Sequence, residues 1–286
     1  MPFSRSSLIA DLHALGLAPG DTVMVHASVR SVGPVYGGPD EIHQAIVEAV
    51  SPDGTMMMLL GCPDGYDDIG RPKTSAEEAA ALRAHLPAFD KHATRANRDN
   101  GALCEFFRTW PGSMVSDSVS VRVGARGARA GWLVSEQTQR YPFGLGTPFE
   151  KLVQANGKLL LLGSDHDQVT LMHYAETIAD FPDKIVVKYE VPLTIDGKRV
   201  WVPGEEFNSS DPGAHANWPD RFFALIVDDF IARHDGTALC AHGKVGNSDS
   251  YLLDVAALIA HAVPIMEQTA KGDPYFKDHP PARETL

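Results

Sequence analysis

The chain has 286 residues, 44% of them hydrophobic, which is enough for a sizeable core in one large domain or two interleaved lobes. Its 25 Lys and Arg stand against 37 Asp and Glu, a formal charge of −12, so a phosphate-backbone partner, which needs a basic face, is not expected. Cys62, Cys104 and Cys240 are odd in number and far apart, which excludes a disulfide framework and zinc-ligand spacing. No apolar run of about 18 residues is present to cross a membrane, and MPFSRSSLIADLHALG lacks the apolar centre of a signal peptide. A cytoplasmic protein with reduced thiols is expected, without nucleic-acid or membrane partners.

In chain order, Ser4 to Leu15 carries Leu8, Leu12 and Leu15 on one helical stripe that ends at Gly16. DTVMVH (21–26) is a buried strand that opens into the loop ASVRSVGPVYGGP. Asp40 caps a helix to about Val50, with Ile42, Ile46 and Val50 inward. Thr55 to Leu60 is a second apolar strand, followed by the turn-rich, acidic GCPDGYDDIGRP. Ser75 and Glu78 form a capping box for a helix to Leu86. Gly101 to Arg108 reads as a short helix, Val119 to Val123 as a strand and Ala130 to Gln137 as helical. A strand at 158–162 and a helix over 168–180 follow. Residues 184–190, 193–195 and 198–202 alternate like antiparallel strands around an Asp196-Gly197 turn. Segments 220–233 and 251–262 are helical, and KGDPYFKDHPPARETL is a loose tail. The alternation predicts an α/β layered fold, with an antiparallel excursion around 184–202 and one domain over 1–270.

Chemistry concentrates in KLLLLGSDHDQVTLMHYAE (158–176). Asp167, Thr170, His173 and Glu176 recur every three residues and share one helical face. An imidazole and a carboxylate one turn apart, just past a strand's carboxyl end, make a proton-handling pair. Asp167 reads first as the helix N-cap. His166, Asp167, His173 and Glu176 could also ligate a metal, but H-E-x-x-H is absent. G-x-S-x-G is absent too, and Cys62 has no evident activator. The loop after the first strand, with Ser28, Arg30, Ser31 and paired glycines, suits an anion or a merely structural turn, and its spacing does not choose. It lacks both G-x-G-x-x-G and G-x-x-x-x-G-K-[ST]. The acidic clusters Asp64, Asp67 and Asp68, and Glu205, Glu206 and Asp211, either keep the surface soluble or attract a cationic ligand.

At four segments the chain resembles the aminoglycoside 3-N-acetyltransferases. These are VMVHASVRSVGPVYGG (23–38), TPFEKL (147–152), GKLLLLGSDHDQVTLMHYAE (157–176) and the EEF step at 205–207, with D-x-x-T-x-x-H-x-A-E at 167–176 the most specific. The resemblance implies an α/β/α sandwich distinct from the GNAT acetyltransferases, and acetyl transfer from acetyl-coenzyme A to a 2-deoxystreptamine antibiotic's 3-amino group. It implies no metal, and a monomer or homodimer. By residue match, His173 is implied as the catalytic histidine and Glu176 as its supporting carboxylate. Ser28, Val29, Arg30, Ser31, Val32 and Gly33 would line the coenzyme A site. Tyr66, Asp67, Asp68, Glu205, Glu206 and Asp211 would contact the cationic acceptor. The relatives' Ser-x-His-Pro segment is replaced here by Ser116-Asp117-Ser118-Val119 after Pro111-Gly112, so that histidine's role would be lost or move to His92. Alternatives are a same-fold transferase for another amine, a metal-dependent hydrolase, and a protein that only sequesters cations.

Overall fold

The structure, a computed structural model, describes residues 1–208, 215 and 217–278. Behind a Ser4 capping box, α1 (Arg5–Ala14) leads to β1 (Thr22–Ala27), the single turn α2 (Val29–Val32), α3 (Asp40–Val50) and β2 (Thr55–Leu59). Then come α4 (Ala76–His85), α5 (Ala102–Thr109), β3 (Met114–Val115), β4 (Val123–Gly127), α6 (Ala130–Val134) and α7 (Pro148–Gln154). β5 (Lys158–Leu162) and a 3-10 turn (His166–Gln168) precede α8 (Leu171–Ile178), and the hairpin β6 (Val186–Ile195) and β7 (Lys198–Phe207) follows. α9 (Phe222–His234), β8 (Cys240–Val245), β9 (Ser248–Asp254), α10 (Val255–Ala270) and α11 (Tyr275–Asp278) complete the described chain.

Seven strands form one sheet in the order β3-β4-β2-β1-β5-β9-β8. The central three, β2, β1 and β5, are parallel, and the flanking pairings are antiparallel. The KLLLL run shows why both faces are covered. Leu159 and Leu161 join Met24, Met57 and residues of α7 to α10 in one core cluster. Leu160 and Leu162 join Val23, Val25 and residues of α1, α3 and α5 in another. A strand buried on both sides reads as a continuous apolar run, and alternation hands successive leucines to opposite layers. The result is the expected α/β/α sandwich. The β6–β7 hairpin pairs in register across Asp196-Gly197, and its inner face joins Cys62, Tyr66 and Phe89 in a third, smaller cluster.

Three expectations shift. Val119, Val121 and Val123 alternate like a strand, but 118–121 is a turn closed by Val121 N–H donating to Ser118 Oγ, and pairing starts at Val123. Its glycines hid β4 from propensity: a Cβ at Gly127 (φ +131) would collide with the Gly54 carbonyl, so only glycine permits β4 to approach β2 there. The helix expected over 251–262 is strand until Asp254, whose side chain accepts from Ala257 N–H and starts α10. The preceding β8, with polar and glycine residues in CAHGKV, gave no strand signal and was not anticipated. Finally, the helix expected over 168–180 is shorter: Asp165, not Asp167, caps the 3-10 turn by accepting from Asp167 N–H, and α8 starts at Leu171. Asp167 instead accepts from Ala224 N–H at 3.3 Å, in the first turn of α9. No described helix is long and apolar enough to cross a membrane.

Candidate active site

The carboxyl ends of β1 and β5 open beside each other, where the reversal of connection direction leaves a crevice in parallel sheets. Gly163 turns the chain at the end of β5 with φ +58, and a Cβ there would collide with Ser31 and Ser248. That close approach brings α2 against the turn, with Ser31 Oγ donating to the Gly163 carbonyl at 3.3 Å. Two cavities, of about 970 and 420 Å³, occupy this end of the sheet, and His173, Phe143 and Asp99 line both.

His173 sits at their junction, and of the spacing read in the sequence only the His173–Glu176 step falls within one helix. On α8, its Nδ1 lies 3.3 Å from Glu176 Oε2. Glu176 is 1% exposed, and its other oxygen, Oε1, is 2.6 Å from Nε2 of His215. Burial pushes Glu176 up, but hydrogen bonds and charge attraction from His173 and His215 outweigh it and hold the carboxyl below its ordinary value. An ionised carboxylate only accepts, so both imidazoles donate to it, and in neutral His173 that tautomer leaves Nε2 as the basic nitrogen. Rings fix the orientation: Phe143 lies 4.7 Å and Phe223 5.0 Å from the His173 ring, while Trp218 lies 3.9 Å from His215.

His215 was not found from the sequence. It stands alone in a polar stretch 39 residues from Glu176, so no periodicity links the two. His92, the expected substitute for the relatives' histidine, is exposed and lines neither cavity. The residues of the metal alternative are dispersed. His166 Nδ1 pairs with Asp228 at 2.6 Å, Asp167 turns to α9, and only His173 and Glu176 meet. Among the described residues no group of three or more His, Cys, Asp or Glu gathers as a metal site.

Of the loop 28–33, only Ser28 lines the larger cavity. Val32 is fully buried in the core, Val29 packs against that core, and Arg30 is exposed on the outer side. Ser28 Oγ accepts from Ser31 N–H at 3.3 Å and Ser31 Oγ at 2.9 Å, and α2 is a single turn. The loop therefore uses much of its own donor capacity internally. Gly33, at φ +91, packs its backbone against Asn247.

The smaller cavity collects acid. Asp64, Asp67, Asp68, Asp99 and Glu206 line it, against Arg71 and Lys73. Arg71 donates to Asp67 Oδ2 and Glu206 Oε1, both at 2.7 Å. Glu206 Oε2 is buried with no hydrogen-bond partner among the described residues. Burial raises the Glu206 pKa, and Arg71 offsets this only in part. Glu205 does not line the cavity: adjacent strand residues point to opposite faces, and its carboxylate lies 3.7 Å from Arg140. Tyr66 packs into the third cluster, its ring 5.4 Å from Phe89, rather than onto the wall. Asp211 lies outside the described residues. Cys62 lines the cavity, but burial pushes its thiol well up, away from thiolate chemistry.

A buried carboxylate thus orients an imidazole where two cavities meet, an arrangement chemically able to move a proton. Residues 24–267 match the family model described as aminoglycoside 3-N-acetyltransferase, and the chain belongs to that family of acyltransferases. It is 38% identical over 270 residues to aminoglycoside N(3)-acetyltransferase III of Pseudomonas aeruginosa, covering 93% of this chain and 94% of the relative. Among solved structures it is similar to AAC-IIIb in a binary complex with CoASH, with TM-score 0.86, 39% identity, and 94% and 97% coverage of the two chains. It is also similar to AAC-VIa bound to sisomicin, with TM-score 0.84, 33% identity, and 93% and 98% coverage.

Proposed function

We propose that this protein transfers the acetyl group of acetyl-coenzyme A to the 3-amino group of a 2-deoxystreptamine aminoglycoside, with His173 as general base. The observation that carries the reading is the position of His173 between a large cavity at the strand ends and a smaller one rich in carboxylates. The larger cavity suits the extended thioester donor, with Ser28 on its wall and Arg30 exposed beyond. The smaller suits an acceptor bearing several ammonium groups, which Asp67, Asp68 and Glu206 would bind by charge-assisted hydrogen bonds of roughly 1.5–3 kcal/mol each.

An ammonium has no lone pair to attack a thioester. His173 Nε2 would take one proton from the acceptor amine, and Glu176, fixed by His215, would stabilise the imidazolium that forms. The amine nitrogen then bonds to the acetyl carbonyl carbon. The C–S bond breaks, and the acylated nitrogen gives up its second proton to the departing thiolate, leaving a neutral amide and the free coenzyme A thiol. The proton held by His173 passes to solvent. The thioester is already an activated acyl donor, so this route needs no covalent enzyme intermediate. Mass spectrometry of a mixed aminoglycoside panel incubated with acetyl-coenzyme A tests the proposal. A gain of one acetyl group on particular compounds is expected, and no gain on any deoxystreptamine compound would refute the acceptor assignment.

A further inference from the structure

Lys184 stands on the connection between α8 and β6. Its ammonium donates to the carbonyls of Thr177 at 3.0 Å and Ala179 at 2.5 Å, at the C-terminal end of α8. Unpaired carbonyls and the helix dipole favour a cation there. The same nitrogen lies 4.7 Å from the ring centroid of Phe181 and 4.6 Å from that of Phe207, within cation–π range of both. Phe207 ends β7 beside Glu206 and lines the smaller cavity, while Phe181 meets His215 edge-on at 5.5 Å. One cation thus joins three parts of the site: the catalytic helix, the acceptor hairpin and the His215 clamp. Burial pushes its ammonium down, against the pull of Glu176, Asp180 and Glu267. A cap made for helix stability alone has no need of two rings or of a hairpin 23 residues away in sequence.

We infer that Lys184 is a positioning residue that locks the C-terminal end of α8, and with it the His173–Glu176 pair, to the hairpin bearing Glu206 and Phe207. Its kinetic consequences rest on the acetyl-transfer reading, and its electrostatic ones do not. Among the described residues, charged groups near the pair include His215 from the segment before α9, Asp99, which lines both cavities with His173, Glu206 with Arg71 behind it, and Lys184 at the helix end. Asp180 and Glu267 of α10 surround Lys184 in turn, with Asp180 N–H donating to Glu267 at 2.7 Å.

Lys184→Met keeps the apolar stem and removes the charge, and Lys184→Arg keeps the charge. In Lys184→Met, turnover is expected to fall roughly tenfold or more, because small misplacements of reacting groups are costly. The acceptor KM should change more than that for acetyl-coenzyme A. Lys184→Arg should restore both. A folded Lys184→Met protein with wild-type turnover and an unchanged acceptor KM would overturn the inference. So would equal losses in both variants that simply follow their melting temperatures. A carboxyl-detected NMR titration of Glu176, assigned with Glu176→Gln, supplies a readout independent of turnover. A raised Glu176 pKa in Lys184→Met supports the coupling, since the Lys184 and Glu176 charges attract each other, and identical titrations in the two proteins refute it. If wild-type protein acetylates no deoxystreptamine compound, the functional reading fails while this titration still decides the inference.

Discussion

Glu176 is buried beside His173 and Glu206 lines the smaller cavity that His173 also lines, and their pKa values shift to different outcomes, one lowered and one raised. Glu176 offers one oxygen to His173 and the other to His215, and these bonds hold its pKa below the ordinary value despite burial. Glu206 has Arg71 on one oxygen and no partner among the described residues on the other, and burial wins, raising its pKa. The residue type is the same, and the sign of the shift follows the balance of burial against partners: two imidazoles for Glu176, and one guanidinium opposed by the Asp67 charge for Glu206. A saturated carboxylate is a fixed structural anion, whereas a half-satisfied one keeps capacity for a cationic ligand. Pairs of acids pushed apart in this way commonly divide the labour of a site.

The largest expected effect is at the imidazole itself. His173→Ala should lower kcat by ~10²–10⁴-fold, the usual range for a general base, with the melting temperature little changed. Coenzyme A thiol release measures the first and thermal unfolding the second, and wild-type turnover in the folded variant would remove His173 from the chemistry. Glu176→Gln comes next. It should reduce kcat with a smaller effect on acceptor KM, and it should lower stability by about 1.5–3 kcal/mol, the value of a hydrogen bond to a charged group. Urea unfolding alongside steady-state kinetics checks both.

The same substitution at Glu206 should behave in the contrary way. Glu206→Gln should raise the acceptor KM roughly tenfold through loss of one charged contact. Its unfolding midpoint should fall less than that of Glu176→Gln, because burial already disfavours the Glu206 charge and Arg71 keeps Asp67. A stability loss matching that of Glu176→Gln would break the comparison.

The smallest effects are in the pH dependence. Glu176 has a folded pKa below its ordinary 4.5, so its stabilisation is fully present above 4.5 and is lost as pH falls through the folded value. The stability gap between wild type and Glu176→Gln should therefore close on acidification. Glu206 has a folded pKa above 4.5, so its favourable term is present below 4.5 and lost as pH rises through the folded value. Glu206→Gln should gain on wild type toward neutral pH, as unfolding midpoints measured from pH 3 to 8 would show.

Elements with strong local signals were legible in the sequence. α3 ends at Val50 as expected, although Asp40 is its first helical residue and Pro39, without a side-chain bond, is its N-cap. β5 begins and ends where expected because the KLLLL run carries its own burial pattern. β4 and β8 were not, because their glycines and polar residues oppose strand formation and only neighbouring strands hold them in the sheet. The site divides in the same way. The motif at 167–176 pointed to His173 and Glu176, but it also suggested that Asp167 capped its own helix. The Ala224 amide that Asp167 serves lies 57 residues away.

What the sequence determined by itself was therefore the short-range half of the site. A spacing of three on a helix forces His173 and Glu176 together whatever surrounds them. Only the tertiary structure decided the rest: that His215 takes the second Glu176 oxygen, that Arg71 reaches Glu206 across 135 positions, and that Glu206 rather than Glu205 faces the cavity. Those outcomes depend on chain crossings and strand facing, which place residues far apart in sequence within hydrogen-bonding distance. No local spacing encodes them.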